Sequence, residues 1–296
     1  MPFVRRPKLR KRLPGRQATD VYDTDDGDAI PARRTGRRRG IYILPNLFTT
    51  AALFCGFYAI VQAMNDRFDH AAIAIFAAMV LDSLDGRVAR MTNTQSEFGA
   101  EYDSLSDMVS FGAAPALVVD EVALRGLGKL GWIAAFIYVA GAALRLARFN
   151  TNIAVVDKNY FQGLPSPSAA ALVAGLVWVM QDLGVEGLDY DWLACIVTIF
   201  AGLTMVSNVQ YYSGKTLDMR KSVPFITIFL IALVLAGIAY DPPRVLFGIF
   251  CVYGVSGYVV YLWRLQQGKP VSIISTDPEP EVGIGAKQLD EDAAGR

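Results

Sequence analysis

"DSLDGRVARMTNTQSEFGAEYDSLSD", residues 82–107, sets four aspartates, two arginines and two glycines between long apolar runs. The surroundings make so much charge costly. Of 296 residues 53% are hydrophobic, the mean hydropathy is positive, and apolar runs of bilayer-spanning length recur from about residue 41 to residue 265. The composition excludes a large soluble core and implies an all-α integral membrane protein.

The runs divide into eight candidate spans: 41–64, 69–91, 98–122, 129–150, 165–183, 191–207, 223–240 and 245–265. Eight crossings return both termini to one side, and basic residues mark that side as cytoplasmic. Arg87, Arg90, Arg145, Arg148, Lys158, Lys215, Arg220, Lys221, Arg264 and Lys269 fall at the ends facing the N-terminus. The other side carries Arg67, Arg125, Lys129, Arg244 and the acidic "QDLGVEGLDYD". The formal net charge of zero hides an asymmetry, since twelve Lys and Arg fall within the first 39 residues and the last 20 are mainly acidic and small. Three segments are therefore expected: a basic, largely disordered cytoplasmic segment over 1–40, a transmembrane catalytic domain over 41–265, and a flexible acidic cytoplasmic tail over 266–296. The basic head is read as holding the cytoplasmic side and touching anionic lipid, not nucleic acid.

Within this layout the opening stretch lies where the second span ends and the third begins. Asp82 and Asp85 are spaced i,i+3, and Asp103 and Asp107 i,i+4, so each pair shares one helix face. Four carboxylates converging at partial membrane depth repel one another and are poorly solvated. Pairing with Arg87 and Arg90 at helix ends is one answer. The better one is a divalent cation, because carboxylate oxygen suits Mg²⁺, Mn²⁺ or Ca²⁺ and such ions bridge substrate phosphates. Gly86 and Gly99, beside the acids, leave room for a phosphate or nucleotide to approach the backbone.

The spacing Asp82-x₂-Asp85-Gly86-x₂-Ala89-Arg90-x₈-Gly99-x₃-Asp103-x₃-Asp107 matches in full the signature of the CDP-alcohol phosphotransferase family, which the chain resembles over roughly residues 41–265. "LPNLFTT" at the first span, "ALRLARFN" at 143–150 and "FQGLPSPSAA" at 161–170 resemble its serine-using branch. The resemblance implies that family's helical membrane fold, and a reaction in which L-serine displaces CMP from CDP-diacylglycerol. It further implies that Asp82, Asp85, Asp103 and Asp107 hold metal, Mg²⁺ or Mn²⁺ with Ca²⁺ an alternative at one position. Asp107 would also act as general base, and Gly86, Ala89, Arg90 and Gly99 would cradle the cytidine diphosphate. A homodimer in the cell (inner) membrane, with its active site cytoplasmic, follows from the same resemblance. Alternatives are another alcohol, such as glycerol 3-phosphate or an inositol phosphate, and, from the intramembrane acids alone, a cation transporter. Transport predicts acids spread through the bilayer depth, whereas these cluster at one edge.

Serine differs from the other alcohols in its carboxylate, which a guanidinium binds bidentately. Arg145 and Arg148 are the candidates for it, with Asn150 and Gln162 behind them, while positive-inside topology gives both arginines an ordinary alternative role. Asn46 and Thr49 either satisfy backbone groups at the start of the first span or line the pocket. "SGKT" at 213–216 lacks the first glycine of a P-loop, since position 209 is Val209. Cys55, Cys195 and Cys251 read as buried thiols, and Trp132, Trp178, Trp192 and Trp263 as interface anchors. The small residues of "PSPSAAALVAGL" suit close helix packing and suggest a dimer face.

Overall fold

A computed structural model of the chain describes residues 36–92, 94, 96–151, 160–185, 188–212 and 225–267. The basic head up to residue 35, the tail from residue 268, Lys158, and the "SGKT" segment with Lys215, Arg220 and Lys221 lie outside the described residues. The elements run α1 (Gly36–Ala63), α2 (Phe68–Thr92), α3 (Glu97–Asp107), a π-helical turn (Met108–Ala113), α4 (Ala114–Val122), a 3₁₀ turn (Leu124–Leu127), α5 (Lys129–Thr151), β1 (Tyr160–Gln162), α6 (Ser166–Leu183), α7 (Leu188–Val206), β2 (Gln210–Tyr212), α8 (Phe225–Tyr240) and α9 (Pro242–Gln266).

Each apolar run becomes helical, and local chemistry sets several boundaries. Ser96 caps α3, its side chain accepting from the Gly99 amide at 3.0 Å. Asp241 caps α9 ahead of a proline in the first turn, and Gly184, left-handed at φ +59°, ends α6. α1 begins at Gly36, five residues ahead of its apolar run. Four helical stretches, Asn46–Ala63, Lys129–Thr151, Ser166–Leu183 and Pro242–Gln266, are long and apolar enough to cross a membrane; Tyr190–Val206 and Phe225–Tyr240 are apolar but shorter. α2 misses that standard because charge enters its second half, after the apolar stretch that ends at Leu81.

The bundle is organised around α6, whose side chains from Ala169 to Val177 are all buried. α2, α4, α7 and α9 pack on it, α1 pairs along α2, and α5 pairs along α7. The small residues of "PSPSAAALVAGL" from Ala169 to Leu176 are thus buried against the chain's own helices: a Cβ on Gly175 would sit 3.2 Å from the Phe247 Cα of α9. Trp178 likewise turns inward against Phe76, ring centroids 5.9 Å apart, instead of anchoring at an interface, while Trp132 and Trp192 are exposed. Of the cysteines only Cys195 is buried; Cys55 is half-buried and Cys251 exposed on α9. In a membrane protein an apolar position has two comfortable places, the interior and the lipid face, so hydropathy does not separate them. α8 is the extreme case, apolar all round with no buried side chain and packed against α9.

At the end of the bundle where α5 and α7 finish and α6 starts, β1 and β2 pair antiparallel, Phe161 opposite Tyr211 and Gln162 opposite Gln210. Gly163 then turns the chain into α6 with φ +76°, its amide donating to the Val209 carbonyl at 2.8 Å. A Cβ here would lie 2.3 Å from the Met205 carbonyl oxygen, so only glycine fits.

Candidate functional site

α2 and α3 are neighbours in sequence, separated by residues 93–96, and the aspartates lie on the last three turns of one and the last half of the other. One carboxylate oxygen each from Asp82, Asp85 and Asp103 falls within 4.8 Å of the others. Asp85 is 6% exposed. Asp107 completes the group, within interacting distance of Asp82, Asp103 and the Arg145 guanidinium. Among the described residues the ion pairs join His70 to Asp69, Arg125 to Glu121, and Arg244 to Asp182 and Asp241. Arg87 and Arg90 are exposed and form none of these ion pairs with the acids.

A divalent cation fits this arrangement. Three oxygens converge, and the buried Asp103 Oδ1 has no hydrogen-bond partner. An uncompensated buried carboxylate oxygen is expensive, and an all-oxygen donor set is the chemistry that hard cations take. Asp82, Asp85 and Asp103 are therefore the residues suited to hold it.

The cluster is held from α1. The Thr49 hydroxyl donates to Asp85 Oδ2 at 2.7 Å, both residues buried. Ser106, next to Asp107, donates to the Thr49 carbonyl at 3.1 Å, and Ser110 donates to the Ala52 carbonyl at 3.1 Å. The hydroxyls of Tyr102 and Thr50 lie 3.0 Å apart, and on the other flank the Asn150 amide donates to Ser104 at 3.0 Å. Asp103 and Asp107 thus sit on a helix braced on both sides. Directly after Asp107 comes the π turn, where the Tyr138 hydroxyl of α5 donates to the Phe111 carbonyl at 2.9 Å. A π turn inserts a residue into the helical register, so the aspartates of α3 keep a rotation independent of the packing of α4.

Beside the acids the backbone is open. Among the described residues, and leaving aside its own helix backbone, a Cβ added at Gly86 would meet within 4 Å the Arg90 guanidinium, at 3.7 and 4.0 Å. At Gly99 it would meet Ser96 Oγ at 3.1 Å and Asn46 Oδ1 at 3.6 Å. Asn46, inside α1 at the start of its membrane-length stretch, therefore faces the start of α3. Ala89 is half-buried on α2.

The two arginines separate. Arg145 Nη1 donates to the buried Ser166 hydroxyl at 2.5 Å and lies within electrostatic reach of Asp107, Tyr138 and Tyr253. Arg148 donates to Asn208 Oδ1 at 3.2 Å and to the Val206 carbonyl, and Gln162 donates to the same Asn208 oxygen at 2.8 Å. Arg148, Gln162 and Asn208 thus tie the β1–β2 corner to α5, while Arg145 faces the aspartates. The sequence singled out neither Ser106, Ser166, Asn208 nor Tyr253. A serine next to a signature aspartate was the available signal for Ser106; the others are brought in from distant segments.

The sequence model of the CDP-alcohol phosphatidyltransferase family matches residues 42–206, which contain all four aspartates and both arginines. The chain belongs to that family. Several similar proteins bear the name CDP-diacylglycerol–serine O-phosphatidyltransferase. The protein of that name from Helicobacter pylori (strain J99) is 34% identical over 233 residues, 76% of this chain and 94% of the relative. The Mycobacterium leprae protein is 30% identical over 74% of this chain and 75% of its own length, and the Methanocaldococcus jannaschii protein is 35% identical over 64% and 82%. A CDP-alcohol phosphatidyltransferase acts on a nucleotide-linked phosphate, and the carboxylates of this member stand beside the one place on α2 where a glycine leaves the backbone open.

Proposed function

We propose that the chain is a phosphatidylserine synthase, transferring the phosphatidyl group of CDP-diacylglycerol to the hydroxyl of L-serine with release of CMP. The observation that carries this reading is the convergence of one carboxylate oxygen each from Asp82, Asp85 and Asp103 on the spacing that the family signature specifies, with the buried Asp103 Oδ1 lacking a hydrogen-bond partner. The names of the similar proteins support serine as the acceptor.

Asp82, Asp85 and Asp103 would hold a divalent cation, Mg²⁺ or Mn²⁺, with Asp107 beside them. When bound, the cation screens the diphosphate and stabilises the charge that CMP carries away. The remaining chemistry belongs to the chain. The bare backbone at Gly86 and Gly99, with Ala89 and Arg90 on the same stretch, admits the cytidine diphosphate. Asp107 takes the proton from the serine hydroxyl as its oxygen bonds to phosphorus and the bond to the CMP oxygen breaks. Such general-base catalysis is typically worth ~10²–10⁴-fold. Arg145 is the group suited to hold the serine carboxylate, because it lies within electrostatic reach of Asp107 and, among the described hydrogen bonds, donates to only one neutral hydroxyl. Arg148, engaged with Asn208 and Val206, keeps the corner in shape.

We place the eight helical runs across the cell membrane with the site on the cytoplasmic side, where a lipid and a water-soluble substrate both reach it. The basic-residue asymmetry supports this orientation. A homodimer is the assembly expected, through a face other than α6.

The test supplies purified protein in detergent with CDP-diacylglycerol, Mg²⁺ or Mn²⁺ and labelled L-serine, beside Asp107→Asn. Serine-dependent CMP release with labelled lipid, lost in the variant, is the expected outcome. CMP release with glycerol 3-phosphate or an inositol phosphate but not with serine would overturn the acceptor assignment and the role given to Arg145.

A further inference from the structure

Thr49 occupies a position at which two helices of the site are tied to a third. Its side chain is buried, 4% exposed, and its hydroxyl donates to Asp85 Oδ2 at 2.7 Å. Its carbonyl accepts from Ser106, the residue before Asp107, at 3.1 Å. One turn further along α1 the pattern repeats with Ser110 on the Ala52 carbonyl, and Gly56 then lets the π turn come so close that its Cβ would stand 2.5 Å from Ser110 Oγ. α1 thus carries a ruled edge against which the aspartate-bearing helices are set, and Thr49 alone on that edge touches an aspartate among the described hydrogen bonds.

We propose that Thr49 is a positioning residue for the carboxylate cluster. Its hydroxyl fixes the direction in which Asp85 offers its oxygens to a divalent cation, and its carbonyl, through Ser106, sets the rotation of the helix carrying Asp107. This inference rests on the reading that Asp82, Asp85 and Asp103 hold such a cation. The physical reason is that an ionised carboxylate has about four acceptor positions on two oxygens. Without a fixed donor it turns about its terminal bond between several arrangements. With one lone pair of Oδ2 engaged by a buried hydroxyl, the carboxylate is held in one plane and its other positions face Asp82 and Asp103. Groups that orient metal ligands in this way typically change metal affinity ~10–100-fold when removed.

The experiment measures Mn²⁺ binding to the purified, substrate-free chain by the loss of the free-ion electron paramagnetic resonance signal. Thr49→Val keeps the shape and removes the hydroxyl, Thr49→Ala removes it without bulk, and Thr49→Ser retains it. Thr151→Val is the control, because its hydroxyl donates to the Ala147 and Arg148 carbonyls of its own helix instead of to an aspartate or to the helix that carries one. Val and Ala are expected to weaken Mn²⁺ at least ~10-fold, with Ser and the Thr151 control binding as the unsubstituted chain does. The Mg²⁺ concentration for half-maximal CMP release is expected to move in the same ratio while the KM for serine stays. Should Val disturb folding, Ala decides. Unchanged affinity in both Val and Ala, or equal weakening in Thr151→Val, overturns the role of Thr49 and leaves the metal site standing. Failure of the unsubstituted chain to bind Mn²⁺ removes the metal reading and this inference together.

Discussion

Replacing Gly86 with alanine separates what the protein needs from what its substrate needs. Gly86 lies inside α2, and the nearest atoms to an added Cβ are the two Arg90 nitrogens at 3.7 and 4.0 Å, ordinary contact distances to a flexible side chain. The free protein therefore loses nothing to the methyl group. It gains helix propensity, since glycine inside a helix costs about 0.5–1 kcal/mol relative to alanine. For a chain of this size that is a rise of roughly 1–4 °C in apparent melting temperature. If the bare backbone exists to admit the nucleotide diphosphate, the same methyl fills space that the substrate uses. Overpacking by one such group costs about 1–3 kcal/mol, a rise of roughly 5- to 150-fold in the KM for CDP-diacylglycerol.

Stability and substrate affinity are thus expected to move in opposite directions. The assay pairs melting in detergent without substrate with CMP release against CDP-diacylglycerol concentration at saturating serine. A higher melting temperature with an unchanged KM would refute the reading of Gly86 as a substrate contact. A lower melting temperature would refute the claim that the protein itself leaves this space free.

Other perturbations follow from the same contacts. Gly56→Ala puts a Cβ 2.5 Å from Ser110 Oγ and 2.6 Å from Ser110 Cα; α1 and the π turn must part, which is expected to destabilise the chain by about 1–3 kcal/mol and, by shifting Asp107, to lower kcat, both read on one preparation. Dialysis against a chelator is expected to abolish CMP release and lower the melting temperature, Mg²⁺ or Mn²⁺ restoring both; retained activity after complete removal would contradict the carboxylate site. Arg145→Lys is expected to raise the KM for serine with little change in that for CDP-diacylglycerol, because a point charge replaces a bidentate fork. Arg148→Lys is expected to lower the melting temperature instead, through loss of the Asn208 and Val206 contacts.

The aspartates and their neighbours are legible in the sequence because the chemistry forces them to be. Carboxylates inside an apolar chain stand out against a uniform background, and i,i+3 and i,i+4 spacings fix which of them share a face. The helical runs are legible for the same reason, and most of their ends fall within a few residues of the apolar limits. What hydropathy leaves open is which side of each helix meets protein and which meets lipid, since both accept the same residues. "PSPSAAALVAGL" therefore reads as a face for a second copy, when in fact α2, α4, α7 and α9 cover it.

The polar residues that brace the site are hidden for a different reason. Thr49 meets Asp85 across 36 positions of sequence, Ser106 meets Thr49 across 57, and Arg148 meets Asn208 across 60. No local pattern encodes such pairs, because each exists only once the helices have packed. The π turn is a further case: "MVSFGA" has no composition that distinguishes it from α-helix, and it is held by a hydroxyl from α5 and a close approach at Gly56. A site of this kind has two layers of information. The four carboxylates are written in one contiguous stretch, as their convergence from two adjoining helices requires. The groups that hold them still are distributed over α1, α5, α6 and the segment after α7, so substitutions in those distant segments are expected to alter metal and acceptor binding without touching the signature itself.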